Sequence, residues 1–156
     1  MRAAGTLEIA ASRGSTWDAL TDPLVLAACV PGGASLAIEP VGPGELALRG
    51  RIGQGLFSLP AEGRLQLSDL SRPAAAAATL RGSVAGTALE ASARVTLEET
   101  APDRTLLHWA ADASIAGPLA GMAGPYLDRE GPGLVERTLG CLRTRLETEP
   151  ASGTAA

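Results

Sequence analysis

The residues of this sequence that could do acid–base or nucleophilic chemistry match no catalytic arrangement in their spacing. His108 is the only histidine. It falls in a segment of alternating polar and apolar residues, on the polar side together with Asp112. A general base must lie within reach of the substrate, and a side chain on the solvent face of a strand does not. No G-x-S-x-G nucleophile motif occurs, so we predict no catalytic residue.

The sequence also lacks the motifs that hold common cofactors and metals. It contains no lysine, which excludes a P-loop lysine and a Schiff base to a carbonyl compound. Gly53-Gln54-Gly55 lacks the rest of a dinucleotide-binding motif and indicates a turn. Cys29 and Cys141 lie far apart with no C-x-x-C, so neither a zinc site nor a redox pair is predicted. We expect no metal and no covalently bound cofactor.

The composition favours a single domain with an apolar interior that has room in it. Of the 156 residues, 46% are hydrophobic but only 3% are aromatic, so alanine, leucine and valine must fill the core. A chain of this length can bury a sizeable core, and alanine fills little volume. The net charge of −4 and the scattered arginines argue against nucleic acid as a partner.

The N-terminal segment MRAAGTLEIA alternates like a strand and lacks the apolar core of a signal peptide. No run of about 18 apolar residues is present for a membrane span. The expected location is therefore the cytoplasm.

Alternating hydrophobicity predicts seven strands with Gly, Pro or Asp at most of the turns between them. The predicted strands cover 3–11, 34–41, 45–52, 56–69, 75–84, 87–99 and 105–116. Short links between consecutive strands favour an antiparallel sheet.

Three helices are predicted, two short and one long. Ser15 is the expected N-cap of the first, which ends before Asp22-Pro23, and the second ends at Cys29. From Leu119 onward, apolar residues recur every three or four positions or multiples of them, with a kink or break expected at Gly131-Pro132-Gly133. The predicted domain spans 1–148, and 149–156 is a predicted disordered tail.

A curved antiparallel sheet with one long helix across its concave face leaves a space between them, which is the candidate binding site. The strand alternation and the helical period surround this space with apolar side chains: Leu48, Ile52, Phe57, Leu59, Leu80, Leu89, Ala93, Val95, Trp109, Ala111, Ile115, Leu119, Met122 and Tyr126. The predicted mouth of the cavity is formed by Cys29, Val30, Pro31 and Gly32.

Three aromatic residues have alternative roles. The Tyr126 hydroxyl is the one polar group predicted to converge on the cavity, where it could hydrogen-bond a carbonyl oxygen, or it reaches solvent at the helix edge. Trp109 points inward, either to the cavity or to solid core. Trp17 either contacts a ligand or, as we expect, anchors the first short helix to the sheet.

The segment Trp17-Asp18-Ala19-Leu20-Thr21-Asp22-Pro23, followed by Leu26, Cys29, Pro31 and Gly32, resembles the opening motif of the G-subunit family of carbon monoxide dehydrogenase. Similarity continues at Arg51-Ile52-Gly53, at Gly63 to Asp69 and from Thr105 through Gly117, and extends over residues 3 to about 147. That family belongs to the START-like (SRPBCC) helix-grip superfamily. The resemblance implies an α+β helix-grip fold.

The resemblance also implies a function. Members of the family are accessory proteins of molybdenum-containing hydroxylases of the carbon monoxide dehydrogenase type, and they are thought to bind a quinone or an isoprenoid lipid without catalysing a reaction. The implied partners are an apolar small molecule and the subunits of the hydroxylase, with transient contact at the inner face of the membrane. Some members carry a hydrophobic C-terminal extension, whereas this sequence ends in EPASGTAA.

Two alternatives stay open. An enzyme of the polyketide cyclase or dehydratase type, from the same superfamily, would need a polar, titratable cavity. A ligand-free assembly factor for the molybdenum enzyme would have a solid interior.

Overall fold

The structure, a computed structural model, describes residues 1–29, 36–52 and 58–148. One seven-stranded antiparallel sheet has the strand order β1-β7-β6-β5-β4-β3-β2. The elements along the chain are β1 (Arg2–Ile9), α1 (Arg13–Leu20), α2 (Pro23–Cys29), β2 (Leu36–Gly42), β3 (Glu45–Ile52), β4 (Leu59–Ser71), β5 (Ala75–Val84), β6 (Thr87–Ala101), β7 (Arg104–Ala116) and α3 (Ala120–Thr148). This order is the one predicted, and the bounds of the strands differ from the predicted ones by a few residues at most.

Residue pairing across the sheet separates an inner face from an outer one. Leu7, Leu107 and Leu97 are paired neighbours on β1, β7 and β6, and all lie on the inner face. The next inner row contains Gly5, Trp109 and Val95, because side chains alternate along each strand. The outer face carries the charged side chains, which pair across strands, as Arg104 does with Glu8 at 3.0 Å.

The first short helix begins earlier than predicted. Ser12, not Ser15, is its N-cap: the backbone N–H of Ser15 donates to Ser12 Oγ at 3.1 Å. The second short helix begins at Pro23. Proline is favourable there because its missing N–H would have no partner within the helix at this position. The Asp22 carboxylate accepts from the N–H of Leu24 at 3.1 Å, which satisfies one of the free donors of that helix end.

The long helix α3 is one continuous element, so of the kink or break expected at residues 131–133, the break does not occur. Pro125 and Pro132 both lie inside it. Gly131 is buried, and the Met1 side chain occupies the place that a Cβ would take. The helix packs on β1 and β7 of the sheet and on α1 and α2. This tertiary packing stabilises a helix whose glycines and prolines give it a low helical propensity by itself.

Cys29 of α2 and Cys141 of α3 form a disulfide with a Cα–Cα distance of 5.5 Å. The sequence spacing, which predicted neither a zinc site nor a redox pair, gave no sign of this disulfide, because the two cysteines come together only where α2 and α3 pack side by side. Disulfides persist mainly in oxidising compartments, whereas the cytoplasm keeps most thiols reduced. The disulfide therefore does not support the cytoplasmic location, which stays a prediction.

Some predictions fall outside the described residues: the mouth residues Val30, Pro31 and Gly32, the inward residue Phe57, and the tail 149–156. None of the helices in the described part of the chain is both long and apolar enough to cross a membrane.

Candidate functional site

A half-open cavity of about 390 Å3 lies between the inner face of the sheet and α3. Its floor is formed by β4, β5, β6 and β7, and one row across this floor consists of Leu67, Ala78, Ala93 and Ala111, paired in that order. Three of these four side chains are single methyl groups. They leave free volume above the sheet that larger side chains would fill.

The roof of the cavity comes from all three helices. Leu20 of α1 and Leu26 of α2 reach it from one side. The residues of α3 that line it recur at helical spacing along one face: Leu127, Gly131, Leu134, Val135, Thr138 and Leu139. The volume lies in the range of about 300–1,000 Å3 typical of small-molecule sites.

Almost all of the lining surface belongs to apolar atoms. Asp112 contributes to the wall, but its carboxylate lies on the outer face, where it accepts from Arg2 Nε at 2.8 Å. That hydrogen bond raises the pKa of Arg2. The α-amino group of Met1 is paired with Asp128 at 3.1 Å and with the Ala113 carbonyl oxygen at 2.8 Å.

Two polar side-chain groups remain among the described lining residues of the inner face and helix roof. The Thr138 hydroxyl donates its proton to the Leu134 carbonyl oxygen at 2.8 Å, which leaves only acceptor capacity. The other is the indole N–H of Trp109, a donor. An interior of this kind suits a neutral, mostly apolar molecule, because an unpaired charge would be costly to bury there.

The structure brings several of the predicted cavity residues together around this space: Leu80, Leu89, Ala93, Val95, Trp109 and Ala111. They come from three neighbouring strands. Their role in ligand binding stays a prediction. Trp109 is 7% exposed and both lines the cavity and belongs to the core cluster, so its two alternative roles coincide.

Other predicted residues lie elsewhere. Leu48, Leu59 and Ile115 are on the inner face but beyond the cavity, and Leu119 lies before the start of α3. Met122 is 79% exposed and Tyr126 is 55% exposed, so both face away from the cavity. The inward placement predicted for Met122 is wrong, because the inward face of α3 begins with Leu127. Of the two alternatives for Tyr126, the structure agrees with the one in which the side chain reaches solvent at the helix edge.

Ile52 is the last residue of β3 and is paired with Leu59 at the strand ends. Cys29, predicted at the mouth, is buried within the disulfide. The neighbouring Leu26 lines the cavity in its place.

The sequence prediction missed several lining residues. Leu65 and Leu67 have the same strand parity as Leu59, which was predicted to face inward, so alternation along β4 could have found them. Leu134 and Leu139 were already in the helical periodicity. Leu20 and Leu26 carry no such signal, because only the tertiary packing of α1 and α2 brings them to the cavity.

His108 lies on the outer face as predicted, with its Nε2 atom 3.8 Å from the Glu98 carboxylate. Trp17 is 4% exposed and packs in the core cluster with Leu20, as expected of an anchor. Within residues 1–29, 36–52 and 58–148, no three His, Cys, Asp or Glu side chains come together in a group that could hold a metal ion.

A curved sheet gripped by a long C-terminal helix over an apolar cavity defines a START-like fold, and solved structures share it. A START superfamily protein from Mycobacterium smegmatis has a TM-score of 0.71 at 18% identity, covering 94% of this chain and 97% of that one. A conserved protein from Geobacillus kaustophilus has a TM-score of 0.80 at 16% identity, with coverages of 95% and 96%. The Zhui aromatase/cyclase from a Streptomyces species has a TM-score of 0.63 at 16% identity, with coverages of 94% and 93%. At these identities the similarity shows the fold alone.

The sequence model of CoxG, the G-subunit family of carbon monoxide dehydrogenase, matches residues 5–147. The chain belongs to this family. No curated protein matches the sequence. Family and fold together suggest a ligand-binding role, and the family name implies association with carbon monoxide dehydrogenase.

Proposed function

We propose that the protein is a non-catalytic carrier that binds a quinone or an isoprenoid lipid in the cavity and serves a molybdenum-containing hydroxylase of the carbon monoxide dehydrogenase type. The observation that supports this most strongly is the cavity itself. It is half open and about 390 Å3 in volume, its lining surface is almost entirely apolar, and the carboxylate of Asp112 lies on the outer face of the sheet. Family membership supports the choice of partner enzyme.

The chemistry of the wall fits binding better than catalysis. A general acid or base must be within hydrogen-bonding reach of the reacting group. His108, the one histidine of the chain, lies on the opposite face of the sheet, and the Asp112 carboxylate is engaged there by Arg2. The residues that face the cavity can enclose an apolar ligand and keep water away from it.

The open side of the cavity fits a ligand with a long apolar chain. Such a molecule can place its head between the sheet and α3 while its chain leaves through the opening. Burial of apolar surface contributes about 25 cal/mol per Å2, part of which offsets the lost freedom of the ligand. We expect micromolar affinity or better. Transient contact with the inner face of the membrane would load and unload such a ligand.

Mass spectrometry of an organic extract of the natively purified protein tests this function. The carrier role predicts a neutral isoprenoid or quinone in near-stoichiometric amount. A co-purifying polar aromatic compound would instead favour the cyclase-like enzyme, whose fold the Zhui aromatase/cyclase shares. An empty extract, together with no binding of added apolar ligands, would favour the ligand-free assembly factor and contradict the proposal.

A further inference from the structure

Trp109 is a largely buried residue whose indole N–H has no hydrogen-bond acceptor among the described residues. Trp109 is 7% exposed and lies in the floor of the cavity. Tryptophan N–H groups usually find a partner when they are buried. No side-chain nitrogen or oxygen in the described part of the chain is both fully occluded and unpaired. The Trp109 Nε1 atom is therefore not fully occluded, and Trp109 is one of the residues that line the cavity.

The position of the ring is fixed by the neighbouring strand. Trp109 of β7 pairs with Gly5 of β1, and its indole lies over that glycine. A Cβ at Gly5 would be 2.9 Å from Nε1, closer than real Cβ atoms approach, and 3.0 Å from Cε2, which is tighter than most real contacts. Glycine at this position thus lets the indole lie flat against the sheet, with α3 packed on the same two strands.

The other polar groups at the cavity offer no equivalent donor. The Thr138 proton is donated to the Leu134 carbonyl oxygen, and the Met1 amino group is neutralised by Asp128. A ligand that matches the cavity therefore carries one hydrogen-bond acceptor on an otherwise apolar body.

We propose that the Trp109 N–H is the polar recognition point of the cavity and that it selects neutral apolar molecules bearing a carbonyl or similar oxygen acceptor. This inference rests on the proposed carrier function and narrows its ligand class. A pure hydrocarbon of the same shape leaves the N–H unpaired and binds more weakly. A carboxylate of the same size binds more weakly still, because none of the described lining residues offers its charge a free cation.

Three probes of nearly equal shape test the proposal: methyl naphthyl ketone, ethylnaphthalene and naphthoate. Their affinities are measured by displacement of the neutral fluorophore N-phenylnaphthylamine. We expect the wild type to prefer the ketone over ethylnaphthalene by about three- to tenfold, the worth of one neutral hydrogen bond. Naphthoate should bind least well.

The variant Trp109→Phe keeps an aromatic ring and loses the N–H. Its smaller ring changes the cavity for both neutral probes alike, so the ratio of the affinity for the ketone to that for ethylnaphthalene reports the hydrogen bond alone. In Trp109→Phe this ratio should fall to about one. Trp17→Phe is the matched control. The Trp17 indole also makes no hydrogen bond to the described residues, but it does not line the cavity, so the ratio should stay at its wild-type value.

Nuclear magnetic resonance of the wild type gives a second test, which does not depend on whether the Trp109→Phe variant folds. The Trp109 indole N–H signal should shift far more with the ketone than with ethylnaphthalene, while the Trp17 signal stays in place. An unchanged affinity ratio in Trp109→Phe, or equal shifts with both probes, would overturn the proposal while leaving the carrier function intact. Failure of every probe to bind the wild type would instead count against the carrier function itself, and a preference for naphthoate would overturn the neutral ligand class.

Discussion

Alanine is the residue that keeps this interior open. Ala78, Ala93 and Ala111 are consecutive partners across β5, β6 and β7, and all three line the cavity. Side chains on paired strands have Cβ atoms about 4.5–5.5 Å apart, so three methyl groups in a row leave a trough. The low aromatic content predicted such room, and the strand register decides where it lies.

Alternation predicts which face a side chain lies on but not how far along the strand the cavity extends. Leu89 and Ile115 are paired neighbours on the inner face, yet only Leu89 lines the cavity. The difference depends on where α3 crosses the sheet. No pattern within a single strand contains that information.

Substitution of Gly5 tests whether the Trp109 indole packs directly against this glycine. Gly5→Ala would place a methyl group 2.9 Å from Nε1, and the ring must shift into the cavity. We expect a loss of about 1–3 kcal/mol in the free energy of unfolding and weaker binding of bulky ligands. Urea denaturation and probe displacement measure the two effects.

The cost of Gly5→Ala should shrink in a Trp109→Phe background, because phenylalanine lacks the indole nitrogen that is crowded. Equal costs in both backgrounds would mean that the two residues do not interact.

At the scale of the elements, the strands were the most predictable part of the fold. Their alternation is local, and their turns contain Gly44 and Gly86 at positive φ, which the sequence marks plainly. The face of α3 was predictable only in its second half, where Leu134, Leu139 and Leu142 point inward. In the first half, Met122 and Tyr126 were apolar enough to suggest an inward face that the packing does not use.

Helix α3 contains glycines whose Cβ position is empty, and filling one should stabilise the protein. A Cβ at Gly140 would meet nothing within 4 Å. We expect Gly140→Ala to raise the free energy of unfolding by about 0.5–1 kcal/mol, because alanine loses less backbone entropy in a helix. The control is Gly131→Ala in the same helix, where the Met1 side chain occupies the space. A gain at Gly131 equal to that at Gly140 would contradict the packing described for Met1.

The disulfide joins α2 to α3 and closes a long loop, with a sequence separation of 112 between the two cysteines. Loops of about this length give stabilisations of roughly 2–5 kcal/mol. Since 1 kcal/mol shifts the Tm of a domain of this size by about 2–4 °C, we expect reduction to lower Tm by roughly 4–20 °C. The Cys29→Ser/Cys141→Ser double variant should melt like the reduced protein and be insensitive to reductant. Identical melting of the oxidised and reduced wild type would contradict a stabilising role.

At the scale of the whole molecule, the helices cover the sheet unevenly. They pack chiefly on the β1 and β7 side, while the cavity extends beneath them to Leu65 and Leu67 of β4. This asymmetry produces a half-open site. The sequence predicted the layers but not the offset between them, since the offset follows from contacts between distant parts of the chain.

A bound ligand should stabilise the whole domain. A ligand at one hundred times its Kd adds about 2.7 kcal/mol to the free energy of unfolding, equivalent to roughly 5–11 °C in Tm. We expect such a shift with methyl naphthyl ketone in a thermal melt. Equal Tm values with and without the ketone, at concentrations that displace the fluorophore, would indicate that the probe binds outside the folded core.

The most direct measurement is the titration of N-phenylnaphthylamine into Ala93→Leu and its matched control Ala4→Leu. Ala93 lies at the centre of the alanine row that floors the cavity, and Ala4 is exposed on the outer face of β1. A leucine at position 93 fills the trough, so the affinity for the fluorophore should fall at least about tenfold while the protein stays folded. A leucine at position 4 should leave this affinity unchanged. Wild-type affinity in Ala93→Leu would contradict the claim that apolar ligands bind between the sheet and α3.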